Sequence, residues 1–137
     1  MPVLWGKTYK RADLLKLVGD VSAVGGVQTA TLNDGFGRGV RVANVRTGSG
    51  FDFTVVIDRG LDISLAQYQG VPLAYRSPTG EVAPEFYEPA GLGWLRGFFG
   101  GLNTTCGPTY HGAPARDQGK ELGLHGRFSY LPAQNVH

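Results

Sequence analysis

Alternating apolar and polar residues along the first half of the chain predict a β-sheet. Residues 39–46 alternate strictly, which is typical of a strand with one face on a core and the other toward solvent. Residues 51–57 resume this pattern after the turn residues 47–50, so the two segments predict a hairpin. Residues 24–32 carry β-branched side chains and end at an Asn-Asp-Gly sequence, which predicts a further strand and a tight turn.

Two shorter strands and one helix complete the predicted elements. Residues 64–68 and 71–75 have strand character on either side of a turn that contains Gly70. Residues 11–18 carry leucines and a valine at i, i+3 and i+4, and Gly19 follows at the position where helices commonly end. We therefore predict one short helix ahead of a fold built mainly from strands.

Composition supports the same fold class. The chain of 137 residues has 22 glycines and 8 prolines spread along its length, so few segments can form a long helix. Its 42% hydrophobic content is high enough for a packed core. We predict an all-β fold, an antiparallel β-sandwich with one short N-terminal helix, and a single β-rich domain over residues 1–137.

Charge and cysteine content exclude several classes of partner. The net charge is +2, and the 13 basic residues are scattered among 11 acidic ones, so nucleic acid is not an expected partner. The single cysteine excludes an internal disulfide and suits a reducing compartment. The sequence has no secretory signal pattern and no apolar run near the roughly 18 residues of a membrane span. We expect a cytoplasmic protein with no membrane contact.

Two segments combine glycines with polar side chains and predict a ligand site. Residues 100–108 begin with paired glycines, which let the backbone approach a ligand closely, and carry Asn103 and Thr105. Further along, His125 and Arg127 would point to one face of a strand. Imidazole can act as a general acid or base, and guanidinium donates to hydroxyl or carboxylate groups. These residue types favour a sugar site; the alternative for His125 is a structural histidine.

Three charged residues stand in an otherwise apolar segment and need partners. In one interpretation Asp58 and Asp62 both pair with Arg59 in a structural network. In the other interpretation Arg59 projects toward a ligand while an aspartate fixes its orientation. Arg59 is therefore a second candidate substrate contact.

The spacing of histidine and cysteine does not predict a metal centre. His111 and His125, with His137 or a carboxylate, could supply ligands, but no H-x-H or H-x-x-x-H spacing is present. Cys106 has small neighbours and no adjacent base, which favours a small buried residue over a nucleophile. The glycine-rich segments match no phosphate-binding or dinucleotide-binding motif. We expect no metal and no cofactor.

The chain also carries an ordered series of short motifs. They are Ile57-Asp58-Arg59-Gly60-Leu61-Asp62-Ile63, Trp94-Leu95-Arg96, Gly100-Gly101-Leu102, Thr105-Cys106-Gly107 and Leu124-His125-Gly126-Arg127. In this order they resemble a branch of the aldose 1-epimerase-like proteins, which has largely unknown function and a galactose mutarotase-like fold. The resemblance implies a large antiparallel β-sandwich with a sugar-binding groove. It also implies that His125 matches the histidine of a Leu-His-Gly element that contacts the sugar.

The resemblance has departures that shape the functional hypothesis. The Asn-Arg element of mutarotases is replaced by Asn103-Thr104-Thr105-Cys106, so no arginine carries over there. The resemblance is to chains about twice this long. It implies that the catalytic carboxylate and the second histidine come from the later half of those chains. We expect an N-terminal half that binds or acts on a sugar or sugar derivative, with the catalytic acid and base missing from this chain. The alternative is a non-catalytic carbohydrate-binding or assembly module.

Half of a sandwich would leave strand edges and one sheet face unpaired. We therefore expect a homo-oligomer or a complementing chain.

Overall fold

A computed structural model describes residues 3–4 and 6–136 of the chain. Within these ranges one α-helix and a series of short strands form four antiparallel sheets, the largest with five strands. This architecture confirms the predicted all-β class with one short N-terminal helix. The elements are β1 Val3–Leu4, β2 Lys7–Thr8, α1 Arg11–Val18, β3 Gly26–Thr31, β4 Arg41–Arg46, β5 Phe51–Val56, β6 Asp62–Tyr68, β7 Val71–Pro72, β8 Tyr75–Arg76, β9 Gly100–Gly101, β10 Ala115–Asp117 and β11 Lys120–Leu122.

Helix α1 has the bounds that its apolar spacing predicts. It spans Arg11–Val18 and buries Leu14. Gly19 ends the helix at φ 72°, a conformation that glycine adopts without a Cβ penalty, and its N–H donates to the carbonyl of Leu15 at 2.9 Å. With eight residues, α1 is far too short to cross a membrane, and no other described helix is long and apolar enough to do so.

The five-stranded sheet follows the chain in the order β3-β4-β5-β6-β7. Strands β4 and β5 form the predicted hairpin, and β5 pairs with β6 through a register shift between Thr54 and Val55. The predicted strand over residues 71–75 is divided in two. Strand β7 pairs with β6, whereas β8 pairs with β9 at Gly100–Gly101 in a separate sheet. The chain therefore leaves the main sheet at this point and leads toward the glycine-rich segment.

Residues 124–127 do not form the strand that their alternation suggested. They follow the β10–β11 hairpin as a turn, and His125 has φ 55°. Because a strand places residues i and i+2 on one face and a turn does not, the expectation that His125 and Arg127 share a face is wrong.

The core surrounds a buried guanidinium. Arg59 is 1% exposed, and its three nitrogens donate to the carbonyls of Ser129 at 2.7 Å, Val82 at 2.8 Å and Gly97 at 3.0 Å. Its carbon Cζ lies 3.8 Å from the centre of the Tyr130 ring. Burial lowers the pKa of Arg59, and the carbonyls and aromatic ring compensate the charge. Arg59 thus joins segments that are distant in sequence.

The two neighbouring aspartates have other partners than the sequence suggested. Asp58 accepts from the guanidinium of Arg41 at 2.6 Å and from its backbone N–H at 2.8 Å. Asp62 accepts from the backbone N–H of Thr105 at 2.6 Å. The predicted network in which both carboxylates pair directly with Arg59 is therefore wrong, because backbone carbonyls occupy that guanidinium.

One face of the five-stranded sheet is apolar and partly open to solvent. Val27, Val45, Phe53 and Ala66 lie side by side across β3 to β6. Val27 is 68% exposed, and Val45 and Phe53 are half-buried. A row of apolar side chains across neighbouring strands is the kind of surface that a second layer of protein covers.

We propose that a second copy of the chain covers this face, and expect light scattering to show a dimer or larger assembly at micromolar concentration. Val27→Lys, which adds a charge to the apolar row, should shift the mass toward the monomer. Gln28→Lys on the same strand places its charge on the opposite face and should leave the mass unchanged. A wild-type monomer at every concentration would contradict the proposal.

Arg59→Lys should lower the free energy of unfolding by about 3 kcal/mol, because one ammonium cannot reach three separated carbonyls and buried acceptors are left unpaired. Urea unfolding followed by tryptophan fluorescence measures this loss. Arg38→Lys, at an exposed position, should change stability by less than about 0.5 kcal/mol. Equal stability of the two variants would show that the three carbonyl contacts do not stabilise the fold.

Candidate functional site

The segment after β9 is attached to the edge of β6 by the residues that sequence reasoning selected as sugar contacts. Asn103 accepts from the N–H of Ile63 through Oδ1 at 2.9 Å. Thr105 donates to the Asp62 carboxylate through both its backbone N–H and its hydroxyl. These contacts hold the loop on the sheet. The proposed sugar contacts of Asn103 and Thr105 stay predictions, since their bonds here are internal.

Asp62, which accepts both hydrogen bonds from Thr105, is a buried carboxyl group. It is fully buried, and its Oδ2 has no hydrogen-bond partner among the described residues. Burial raises the pKa of Asp62, and the bonds from Thr105 and the charge of Arg59 only partly offset that rise. The Thr105 bonds therefore position the loop on a carboxyl group whose charged form is disfavoured.

His125 is positioned by hydrogen bonds to its own backbone groups and to its ring. Its carbonyl accepts from the N–H of Gly107 at 3.4 Å, and its own N–H donates to the carbonyl of Gly112 at 3.0 Å. The N–H of Gly112 also donates to Nδ1 of His125 at 3.2 Å. A neutral imidazole that accepts at Nδ1 carries its proton on Nε2, so His125 offers Nε2–H as a donor.

The same backbone bonds bring three chemically versatile side chains together. The ring of His111 stacks on that of His125 with centroids 4.9 Å apart, and the rings of Trp94 and His125 form a T-shaped pair with centroids 5.0 Å apart. One nitrogen of each histidine and Sγ of Cys106 all lie within 4.8 Å of one another. We call Cys106, His111 and His125 the Cys–His cluster.

The sequence already offers His111 and His125 together as possible metal ligands, but it gives no reason to add Cys106 to them. No local spacing signals the cluster, because it forms when residues 107–112 close onto a turn at residue 125. Cys106 is exposed, contrary to the expectation of a small buried residue. His137, the other histidine considered as a ligand, lies outside the described residues.

Arg127 lies at the other end of the same turn and lines a cleft of about 530 Å³. The cleft is also lined by Tyr87, Thr109, Tyr110, Lys120 and Glu121, whereas His125 is not among its lining residues. Within residues 3–4 and 6–136, the guanidinium of Arg127 has no hydrogen-bond or ion-pair partner. Its charge is thus available to a ligand.

Arg59 belongs neither to the Cys–His cluster nor to the cleft lined by Arg127. Because it is buried and donates to three backbone carbonyls, the geometry gives no support to its proposed contact with a substrate. That contact stays a prediction, and the role visible in the structure is to stabilise the fold behind the turn.

A family model described as a domain of unknown function, DUF4432, matches residues 37–137. The chain belongs to this family. No curated protein matches the chain.

Among solved structures, this DUF4432 chain is similar to the crystal structure of a protein described as a putative aldose 1-epimerase from Klebsiella pneumoniae subsp. pneumoniae. The TM-score is 0.71 and the sequence identity 28%, over 78% of this chain and 29% of that one. The match confirms the resemblance to aldose 1-epimerase-like proteins and the fold that it implies. This chain spans under a third of the length of that protein.

Ionisation of Asp62 should make the stability of this DUF4432 protein fall with rising pH. The pKa of Asp62 is raised above its ordinary value of 3.8, so the folded state favours the protonated carboxyl. Its contribution is fully present below pH 3.8 and is lost as the pH rises through the higher folded-state pKa. Asp62→Asn keeps an acceptor for Thr105 and cannot ionise.

Urea unfolding of both proteins at a series of pH values above about 4 isolates this contribution. We expect the wild type to lose stability relative to Asp62→Asn as the pH rises. A difference that is constant, or that moves in favour of the wild type, would contradict the raised pKa.

Proposed function

We propose that this chain forms part of a carbohydrate-binding site of the aldose 1-epimerase-like type. The observation that carries the proposal is the structural similarity to a putative aldose 1-epimerase, which covers 78% of this chain. In this proposal the sugar or sugar derivative lies in the Arg127 cleft and extends toward His125.

The lining of the cleft suits a hydroxylated ligand. Tyr87 and Thr109 carry hydroxyl groups that can donate and accept, while Arg127 and Lys120 carry charged donors. The hydroxyl of Tyr110 donates to the carbonyl of Ala113, so Tyr110 offers the ligand its ring and a hydroxyl oxygen that can accept. Burial raises the pKa of the Tyr87 phenol, and the nearby charge of Arg127 partly offsets that rise, so Tyr87 remains a neutral donor at pH 7. Aromatic faces next to hydroxyl donors are well suited to the mixed apolar and polar surface of a sugar ring.

His125 gives the site a group that can take part in proton transfer. Interconversion of anomers requires removal of a proton from the anomeric hydroxyl and protonation of the ring oxygen. The Nε2–H of His125 can donate to a sugar oxygen because the Gly112 amide occupies Nδ1. We assign His125 the role of hydrogen-bond donor and candidate general acid, and we assign no general base within this chain.

Arg127→Gln should weaken sugar binding about 10- to 100-fold, since it removes a charge-assisted hydrogen bond from the cleft. Isothermal titration of the 137-residue protein with a panel of neutral and acidic aldoses measures this effect. Arg38→Gln removes the same charge from an exposed position outside the cleft and should leave affinity unchanged.

Anomer exchange measured by NMR on the same samples separates the two forms of the proposal. Acceleration that is lost in His125→Gln supports an epimerase-like activity. Binding without acceleration supports the non-catalytic carbohydrate-binding module. If no aldose binds the wild type, or if Arg127→Gln binds as well as the wild type, the proposed cleft is wrong.

A further inference from the structure

The Cys–His cluster has the composition and placement of a metal site. One thiol and two imidazoles converge with their ligand atoms within 4.8 Å of one another. Cys106 and His111 are exposed and His125 is half-buried, so an ion has access from solvent. We infer that Cys106, His111 and His125 bind one divalent transition-metal ion, with zinc favoured by the donor set.

Donor chemistry selects this class of ion. Thiolate and imidazole are the ligands that zinc prefers, whereas magnesium and calcium prefer carboxylate and carbonyl oxygens. Binding converts the thiol of Cys106 to a thiolate and releases its proton to solvent. Three protein ligands leave the fourth tetrahedral position open, which distinguishes the site from a closed structural zinc site.

The distances require only a small adjustment. Bonds of about 2.0–2.3 Å place the ligand atoms of a tetrahedral zinc site roughly 3.3–3.8 Å apart. The limit of 4.8 Å in the structure is roughly 1.0–1.5 Å wider than this spacing. Side-chain rotation of Cys106 and His111 can close this gap, because both are exposed and the backbone bonds that hold their loop involve Gly107 and Gly112.

His125 must change its tautomer when the ion binds through Nε2. Without metal, the N–H of Gly112 donates to Nδ1 at 3.2 Å and the ring proton is on Nε2. An ion at Nε2 requires that proton to move to Nδ1. The Nδ1–H then faces the N–H of Gly112, and because two donors cannot share a hydrogen bond, the bond between Gly112 and His125 breaks. Metal binding is thereby coupled to the conformation of the loop at Gly112.

The open position gives the ion a chemical role. A bound zinc ion accepts water or an oxygen of a ligand and acts as a Lewis acid toward a carbonyl or hydroxyl group. With zinc on Nε2, His125 no longer donates to a sugar, so the donor role given to its Nε2–H belongs to the metal-free protein. That the oxygen on zinc belongs to a sugar rests on the proposed function above, whereas the binding of metal does not. The two can be tested separately, since metal binding is measured without sugar and sugar binding is measured on metal-free protein.

The test uses the 137-residue protein without a histidine tag, stripped of metal and titrated with zinc and with cobalt(II). We expect one zinc ion per chain and, with cobalt, the absorption bands of a tetrahedral site with a thiolate ligand. Cys106→Ser, His111→Ala and His125→Ala should each reduce zinc affinity by more than about 10- to 100-fold, the loss typical of removing a residue that only hydrogen-bonds to a metal ligand. Asp117→Asn changes an exposed carboxylate of β10 outside the cluster and should leave affinity unchanged.

Two further measurements use the wild-type protein and need no substitution of the metal ligands. Because Cys106 is the single cysteine, zinc should slow its alkylation by iodoacetamide. Nitrogen NMR should show His125 changing from the Nε2–H to the Nδ1–H tautomer, together with a shift of the Gly112 amide.

Unchanged alkylation, zinc affinity that survives Cys106→Ser, or variants no weaker than Asp117→Asn would overturn the inference. Circular dichroism of the metal-free variants confirms that they are folded.

Discussion

The arrangement of this protein depends on the buried guanidinium of Arg59. A charge with 1% exposure is tolerated because three backbone carbonyls and the ring of Tyr130 surround it. Those carbonyls lie outside the β-strands, with Gly97 and Ser129 in short 3-10 helices. One side chain in the turn after β5 thus satisfies acceptors from the segments around residues 82, 97 and 129 and joins them.

The candidate site is connected to this centre through a short series of contacts. Ser129, whose carbonyl accepts from Arg59, receives a hydrogen bond from the indole N–H of Trp94 at 2.9 Å through its hydroxyl. The hydroxyl of Tyr130 donates to the carbonyl of Trp94 at 2.6 Å. Trp94 is therefore held by two hydrogen bonds, and its ring forms a T-shaped pair with that of His125. The orientation of the histidine depends on packing that begins in the core, as is usual for a functional group held by a rigid scaffold.

The turn at residues 125–127 separates two surfaces with different chemistry. On one side lie Cys106, His111 and His125, with soft donors within 4.8 Å of one another. On the other side Arg127 lines a cleft with Tyr87, Thr109 and Tyr110. In the proposals above, a ligand that spans the turn would meet both surfaces.

The sequence by itself determined the helix, the strands of the main sheet, the all-β class and the aldose 1-epimerase-like resemblance. These follow from side-chain periodicity, turn residues and ordered motifs, all of which are local properties of the chain. It also selected His125 and Arg127, but only the tertiary structure decided that a turn separates them. The partners of Arg59 and the grouping of Cys106 with two histidines were likewise decided there, because they depend on backbone hydrogen bonds between segments whose approach no local pattern encodes.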